Sequence, residues 1–175
     1  SQQFSLTVRQ QPIQGRLCTN NEKDRKSIEP PPIIQIQLNN ATEEETQNFL
    51  QNPYYFMCVN LVHPLTYKDI IQDHPVLSGQ TVSSMYKLKD ITNSDGSFFC
   101  FGDLSSKIEG EFKLKFTLCE ILTTSTINLM HIYSQSFHVY HPKKMPKPVD
   151  TTFLSRSFSD QGVRIRIRKE HRIQT

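Results

Sequence analysis

Between residues 111 and 121 every second side chain is apolar: Phe112, Leu114, Phe116 and Leu118 alternate with Lys113, Lys115 and Thr117. A period of two puts the first four on one face of a strand and the other three on the opposite face, so this stretch belongs in a sheet with one face covered. The same rule recurs at 163–168, where Val163, Ile165 and Ile167 alternate with Arg164, Arg166 and Arg168, and it predicts a final edge strand there. Residues 4–8 read as a half-buried strand, and residues 33–38 and 136–140 as further short ones. Residues 54–62 form the most continuously apolar run and read as a strand buried on both faces. Some seven or more short strands, with one or two helices at most, predict an all-β sandwich.

Turn chemistry divides these strands. Pro30-Pro31-Pro32 removes three donors and fixes three φ angles, so it excludes helix and launches the strand that follows. Asn93-Ser94-Asp95-Gly96 tolerates positive φ and predicts a hairpin before the aromatic run at 97–101. The acidic stretch 39–52 reads as a loop or a short surface helix. Thr151 or Thr152 can cap a helix running to about Asp160, with Gly162 as its left-handed stop. Pro142, Pro146 and Pro148 break up the linker before it. The 175 residues suit a single domain over 1–175, with fraying expected in the first few residues and after about 169.

Several functional classes are set aside by what the chain lacks. No run of about 18 apolar residues could span a bilayer, and no signal-peptide pattern opens the sequence, so a soluble intracellular protein without membrane contact is expected. Cys18, Cys58, Cys100 and Cys119 are scattered and complete no zinc set, and Cys58, Cys100 and Cys119, each inside an apolar segment, read as small buried hydrophobes. The six histidines form no metal or catalytic pattern, and no nucleophile elbow or phosphate-cradling glycine loop is present. The expectation is a non-enzymatic protein with no cofactor, no metal and no small-molecule substrate. A carboxylate dyad assembled from distant residues would leave no local signal, so an enzyme stays as a third alternative at this point.

Charge carries the positive signal. Residues 1–40 hold five Lys/Arg against three Asp/Glu, residues 41–140 hold six against eleven, and residues 141–175 hold nine against three. If the two ends meet, they make a basic face suited to a polyanion; otherwise they only aid solubility. Lys23, Arg25 and Lys26 sit in a loop, where they can reach phosphates or pair internally with Glu22 and Asp24. Arg25 has the fork to read guanine and the lysines sense phosphate. Arg164, Arg166 and Arg168, joined by Lys143 and Lys144, form either a phosphate ladder or a guard against edge pairing. Phe98, Phe99 and Phe101 could stack bases, but with no basic residue among them core packing is the stronger reading.

Three blocks resemble one family: Leu6-Thr7-Val8-Arg9-Gln10-Gln11-Pro12 with Lys23-Asp24-Arg25-Lys26 and Pro30-Pro31-Pro32; Phe98-Phe99-Cys100-Phe101-Gly102-Asp103-Leu104 running into Glu109-Gly110; and Tyr140 to Lys144 with Leu154-Ser155-Arg156 and Gln161-Gly162-Val163-Arg164-Ile165-Arg166-Ile167-Arg168. Together they look like a velvet domain, and residues 82–90 with Asp95-Gly96 look more like the VelB and VosA branches than VeA. The segment 39–52 is shorter than in some VelB-like members, and Met145-Pro146-Lys147 stands where the family commonly has Phe-Pro-Gly. The resemblance implies an immunoglobulin-like β-sandwich similar to the Rel homology DNA-binding domain. It also implies binding to double-stranded DNA, dimerisation with itself or other velvet proteins, nuclear residence with shuttling from the cytoplasm, and control of sporulation and secondary metabolism. The family's DNA-contact motif falls on Lys23, Arg25 and Lys26, with Arg16 beside them. A dimerisation module that leaves DNA to a partner is the alternative. Tyr86, Leu88 and the 153–158 helix are the surface expected to dimerise.

Overall fold

The computed structural model describes residues 4–19 and 25–167. In chain order the described residues form β1 (Phe4–Gln10), β2 (Gln14–Arg16), β3 (Ile33–Leu38), α1 (Glu43–Leu50), β4 (Tyr55–Val62), β5 (Leu77–Gly79), β6 (Val82–Ser84), β7 (Tyr86–Lys89), β8 (Asp95–Cys100), β9 (Leu104–Ser106), β10 (Gly110–Ile121), β11 (Thr126–Tyr133), β12 (Phe137–Tyr140) and α2 (Phe153–Asp160), with a 3-10 turn at Pro142–Lys144. One sheet has the order β1-β3-β8-β7. The other runs β2-β12-β10-β4-β6, with β11 also pairing β10, and β5 and β9 form a separate ribbon. Apart from the parallel β2/β12 pair, every strand pairing among the described residues is antiparallel. The fold is an all-β sandwich.

Alternation built it. Phe112, Leu114, Phe116 and Leu118 of β10 face inward beside Met57, Val59 and Leu61 of β4, and meet Ile34, Ile36 and Phe99 from the other sheet. Burial of each such side chain contributes about 1.5–3 kcal/mol. α1 begins at a Thr42 capping box closed by Glu45, and its Phe49 packs with Phe4 and Tyr55 at one end of the sandwich.

A second core lies on the outer face of β3 and β8. Ile33, Phe98 and Cys100 point there, beneath Leu88, Phe158 of α2, Val163 and Ile165. Phe98 and Phe158 ring centres are 4.7 Å apart, whereas Phe101 meets Phe116 at 5.5 Å in the main core. The aromatic run is therefore core on both sides, with no ring free to stack a base. Desolvation pushes the Cys100 thiol up to about 12, and Cys119 is buried as expected, as is Cys18, whereas Cys58 is only half-buried.

Four expectations change. The strand buried on both faces is β8. β4 alternates, with Asn60 exposed and Tyr54 outside it, because its outer face lacks the helix that covers β8. The hairpin turn falls at residues 90–94, with Asn93 at φ 65°, so Asp95 and Gly96 already belong to β8. Residues 163–167 are not an edge strand: Val163 and Ile165 are buried and Arg164 and Arg166 exposed, but the segment lies over a sheet face and forms no strand with other described residues. Leu88 and Phe158 fill the second core and are not available to a dimer, whereas Tyr86 is half-buried and Phe153 is 73% exposed.

Candidate nucleic-acid interface

The parallel β2/β12 pairing sets Arg16 opposite Tyr140, and the Leu17 N–H donates to the Tyr140 carbonyl at 2.8 Å. Pro142 then opens the 3-10 turn, whose N–H at Lys143 donates to His141 Nδ1 at 3.1 Å. Lys143 and Lys144 are thereby exposed on the turn that follows the strand beside Arg16. The chain continues across the end of β2. Gln14 Nε2 donates to the Lys147 carbonyl at 3.1 Å and to Glu29 Oε2 at 2.8 Å, and the Val149 N–H donates to the same Glu29 oxygen at 3.1 Å.

Gln10 ties this crossing to the helix. Its Nε2 donates to Ser155 Oγ at 2.7 Å and to the Pro31 carbonyl at 2.8 Å, while its Oε1 accepts from Thr152 Oγ1. Thr152 is also the N-cap, taking the Ser155 N–H at 3.0 Å. α2 stops at Gly162, φ 100°, the left-handed conformation that favours glycine. The exit is then laid against Gly102, where an added Cβ would stand 2.2 Å from the Arg164 carbonyl oxygen.

These segments enclose a cavity of about 470 Å³ whose lining includes Arg16, Lys26, Glu29, Asp150 and Arg166. The two basic ends of the sequence do meet. Lys26 and Arg166 are exposed at the cavity, and Arg164 is exposed two residues before Arg166. Arg25 is turned inward: its side chain is 14% exposed, Nη2 lies 2.7 Å from Asp103 Oδ2, and Nη1 lies over Gly79. Its partner is thus Asp103, 78 residues away, and Ser27 Oγ adds a bond to the same carboxylate at 3.3 Å. Arg166 donates to the Arg25 carbonyl at 3.3 Å, which links the two basic segments directly. Lys23 and Arg168 lie outside the described residues.

Sequence reasoning missed Gln10, Glu29, Asp103 and Thr152 as the framework of this site. Thr152 was legible as a cap, but amides and carboxylates that bond across 78 to 145 residues carry no local signal. Among the described residues no group of three His, Cys, Asp or Glu side chains is placed to hold a metal ion.

Comparison with known proteins bears on what this site belongs to. A family model described as Velvet factor matches residues 4–74 and 65–172. The spore development regulator RYP2 of Ajellomyces capsulatus is 44% identical over 98% of this chain and 45% of its own length. The spore development regulator VOSA of Pyricularia oryzae is 44% identical over 98% of the chain and 34% of its own length. A velvet complex subunit of Chaetomium globosum is 41% identical over 97% of the chain and 38% of its own length. The chain thus spans less than half the length of each of these relatives. A match that takes in both sheets, the cavity and α2, together with relatives of this similarity, means that the chain belongs to the velvet family.

Proposed function

We propose that this velvet domain is a sequence-selective duplex-DNA-binding module of a transcription regulator, acting as a homo- or heterodimer and not as an enzyme. The observation that carries the reading is the meeting of Arg16, Lys26 and Arg166 around one cavity, with Lys143 and Lys144 on the turn that opens at its rim. Cations drawn from separate segments to one end of a sandwich neutralise backbone phosphates without being desolvated. The names of the relatives, spore development regulators and a member of a velvet complex, support a role in developmental control and in assembly with other velvet proteins. Nuclear residence and control of secondary metabolism belong to the same proposal, as the family resemblance implies.

One observation favours a second reading. Arg25, the residue in that loop whose side chain could read guanine, is turned inward, with Nη2 on Asp103 and Nη1 buried over Gly79. Base readout would then fall to a partner, with this chain supplying phosphate contacts and dimer contacts.

Fluorescence anisotropy on promoter-derived and random duplexes, over a salt series, tests the first reading. Selective binding is expected, with Lys26→Ala/Arg166→Ala weakening it roughly tenfold or more and flattening the salt slope by about 0.9 per lost contact. Absence of binding even at low salt would sink the proposal. Equal affinity for all duplexes would favour the second reading.

A further inference from the structure

We propose that the cavity is a binding site for a small amphipathic organic anion, and that its occupant competes with DNA. The competition rests on the DNA-binding reading; the site itself does not. Phosphate contacts need only exposed side chains, whereas this is a half-open cleft of about 470 Å³, within the range typical of small-molecule sites. Its walls include the rings of Pro30, Pro31 and Pro142 with Met145, Val149 and Ile167, surfaces that offer apolar contact and few donors. Proline rings keep such a wall in shape without a ligand. So does the Gln10 hub, which fixes the Pro31 carbonyl and the cap of α2.

The charges in the lining set the ligand's sign. Glu29 spends Oε2 on Gln14 and the Val149 N–H, so its carboxylate is held by the wall. Against Glu29 and the exposed Asp150 the lining holds Arg16, Lys26 and Arg166, an excess of one positive charge, with Lys26 exposed and Arg166 in no ion pair with a described residue. A ligand with one anionic head and an apolar body fits this division: the head meets Lys26 and Arg166, and the body lies on the proline and methionine wall. A bare anion gains only the first contact and a neutral hydrocarbon only the second.

Fluorescence titration of the folded domain with 8-anilinonaphthalene-1-sulfonate tests the site, with the uncharged N-phenyl-1-naphthylamine and inorganic sulfate as the two half-ligands. One saturable site per chain is expected, at least about tenfold tighter for the sulfonate than for either half. Lys26→Ala should weaken it about tenfold, the size of one charge-assisted hydrogen bond. Met145→Trp, which fills the cavity without altering charge, should abolish it; if that variant has a lowered melting midpoint, Lys26→Glu at the exposed rim decides instead. Binding without saturation, or binding indifferent to these substitutions, overturns the site. Competition is read by adding the sulfonate to the DNA complex: displacement that Met145→Trp prevents supports it, and no displacement overturns it. Should DNA fail to bind while the sulfonate behaves as expected, the DNA-binding reading falls and the site stands. DNA binding with no sulfonate binding leaves that reading intact and removes the site.

Discussion

Arg9 spends its guanidinium inside the fold just as Arg25 does. Its Nη1 and Nη2 donate to the two oxygens of Asp90 at 2.7 and 3.0 Å, Nη1 also reaches Gln35 Oε1 at 2.9 Å, and the group lies 5.9 Å from the centre of the Phe98 ring. It thereby ties β1 and β3 to the turn between β7 and β8. The Arg9 hydrogen bond, assisted by the Ile91 N–H, holds the Asp90 carboxyl below its ordinary value of 3.8. A depressed folded-state value means stability that is fully present above the unfolded value and lost as pH falls through the folded one. With side chains 23% and 13% exposed, the pair lies between a surface and a buried bridge. Asp90→Asn should therefore cost about 1–3 kcal/mol at neutral pH. Urea unfolding at descending pH should show the gap from wild type closing below about pH 4. A gap that persists in acid would assign the cost to packing instead.

α2 and its exit segment show how far sequence reaches at the level of elements. A cap at Thr151 or Thr152, the end at Asp160 and the Gly162 stop were all legible, because capping is local chemistry, and the structure selects Thr152. The exit segment was half legible. Its alternation correctly assigned Val163 and Ile165 to burial, but hydrophobic period reports which side is covered and says nothing of what covers it. Short strands such as β2, β5 and β9 escaped because three residues are too few to show a period. Gly102 is the contact that seats the exit. A methyl there would meet the Arg164 carbonyl, which is backbone and cannot swing aside as a side-chain tip would. Gly102→Ala should lift residues 164–167 from the sheet, at a cost of about 1–3 kcal/mol. It should also weaken DNA binding although no charge has been removed. Denaturant titration and anisotropy on the same variant test both, and unchanged DNA affinity would show that the exit segment does not place Arg166.

For the whole molecule, the basic-acidic-basic order along the chain becomes a polarity in space. β1 runs from Phe4, which meets Phe49 of α1, to Gln10, which holds the cavity framework, so the acidic first turn of α1 belongs to the other end of the sandwich. Neutralising Glu43, Glu44 and Glu45 together as Gln should leave duplex affinity within about twofold at moderate salt, since a screening length near 8–10 Å isolates the two ends. A larger effect in anisotropy would place DNA along the length of the sandwich. That the two basic segments meet followed from no local pattern. It depends on the parallel β2/β12 pairing and on Gln10 reaching Ser155, contacts between residues more than 120 positions apart. The segment over Gly102 differs from every sheet strand around it. Arg164 to Ile167 make no backbone ladder with other described residues, so opening them severs side-chain contacts and leaves both sheets paired. Their amides should therefore exchange protons through local openings, at a free energy below that needed to expose β10, which native-state hydrogen exchange would measure. On that expectation one wall of the cavity, with the arginine it carries, can detach from a molecule whose sheets stay closed.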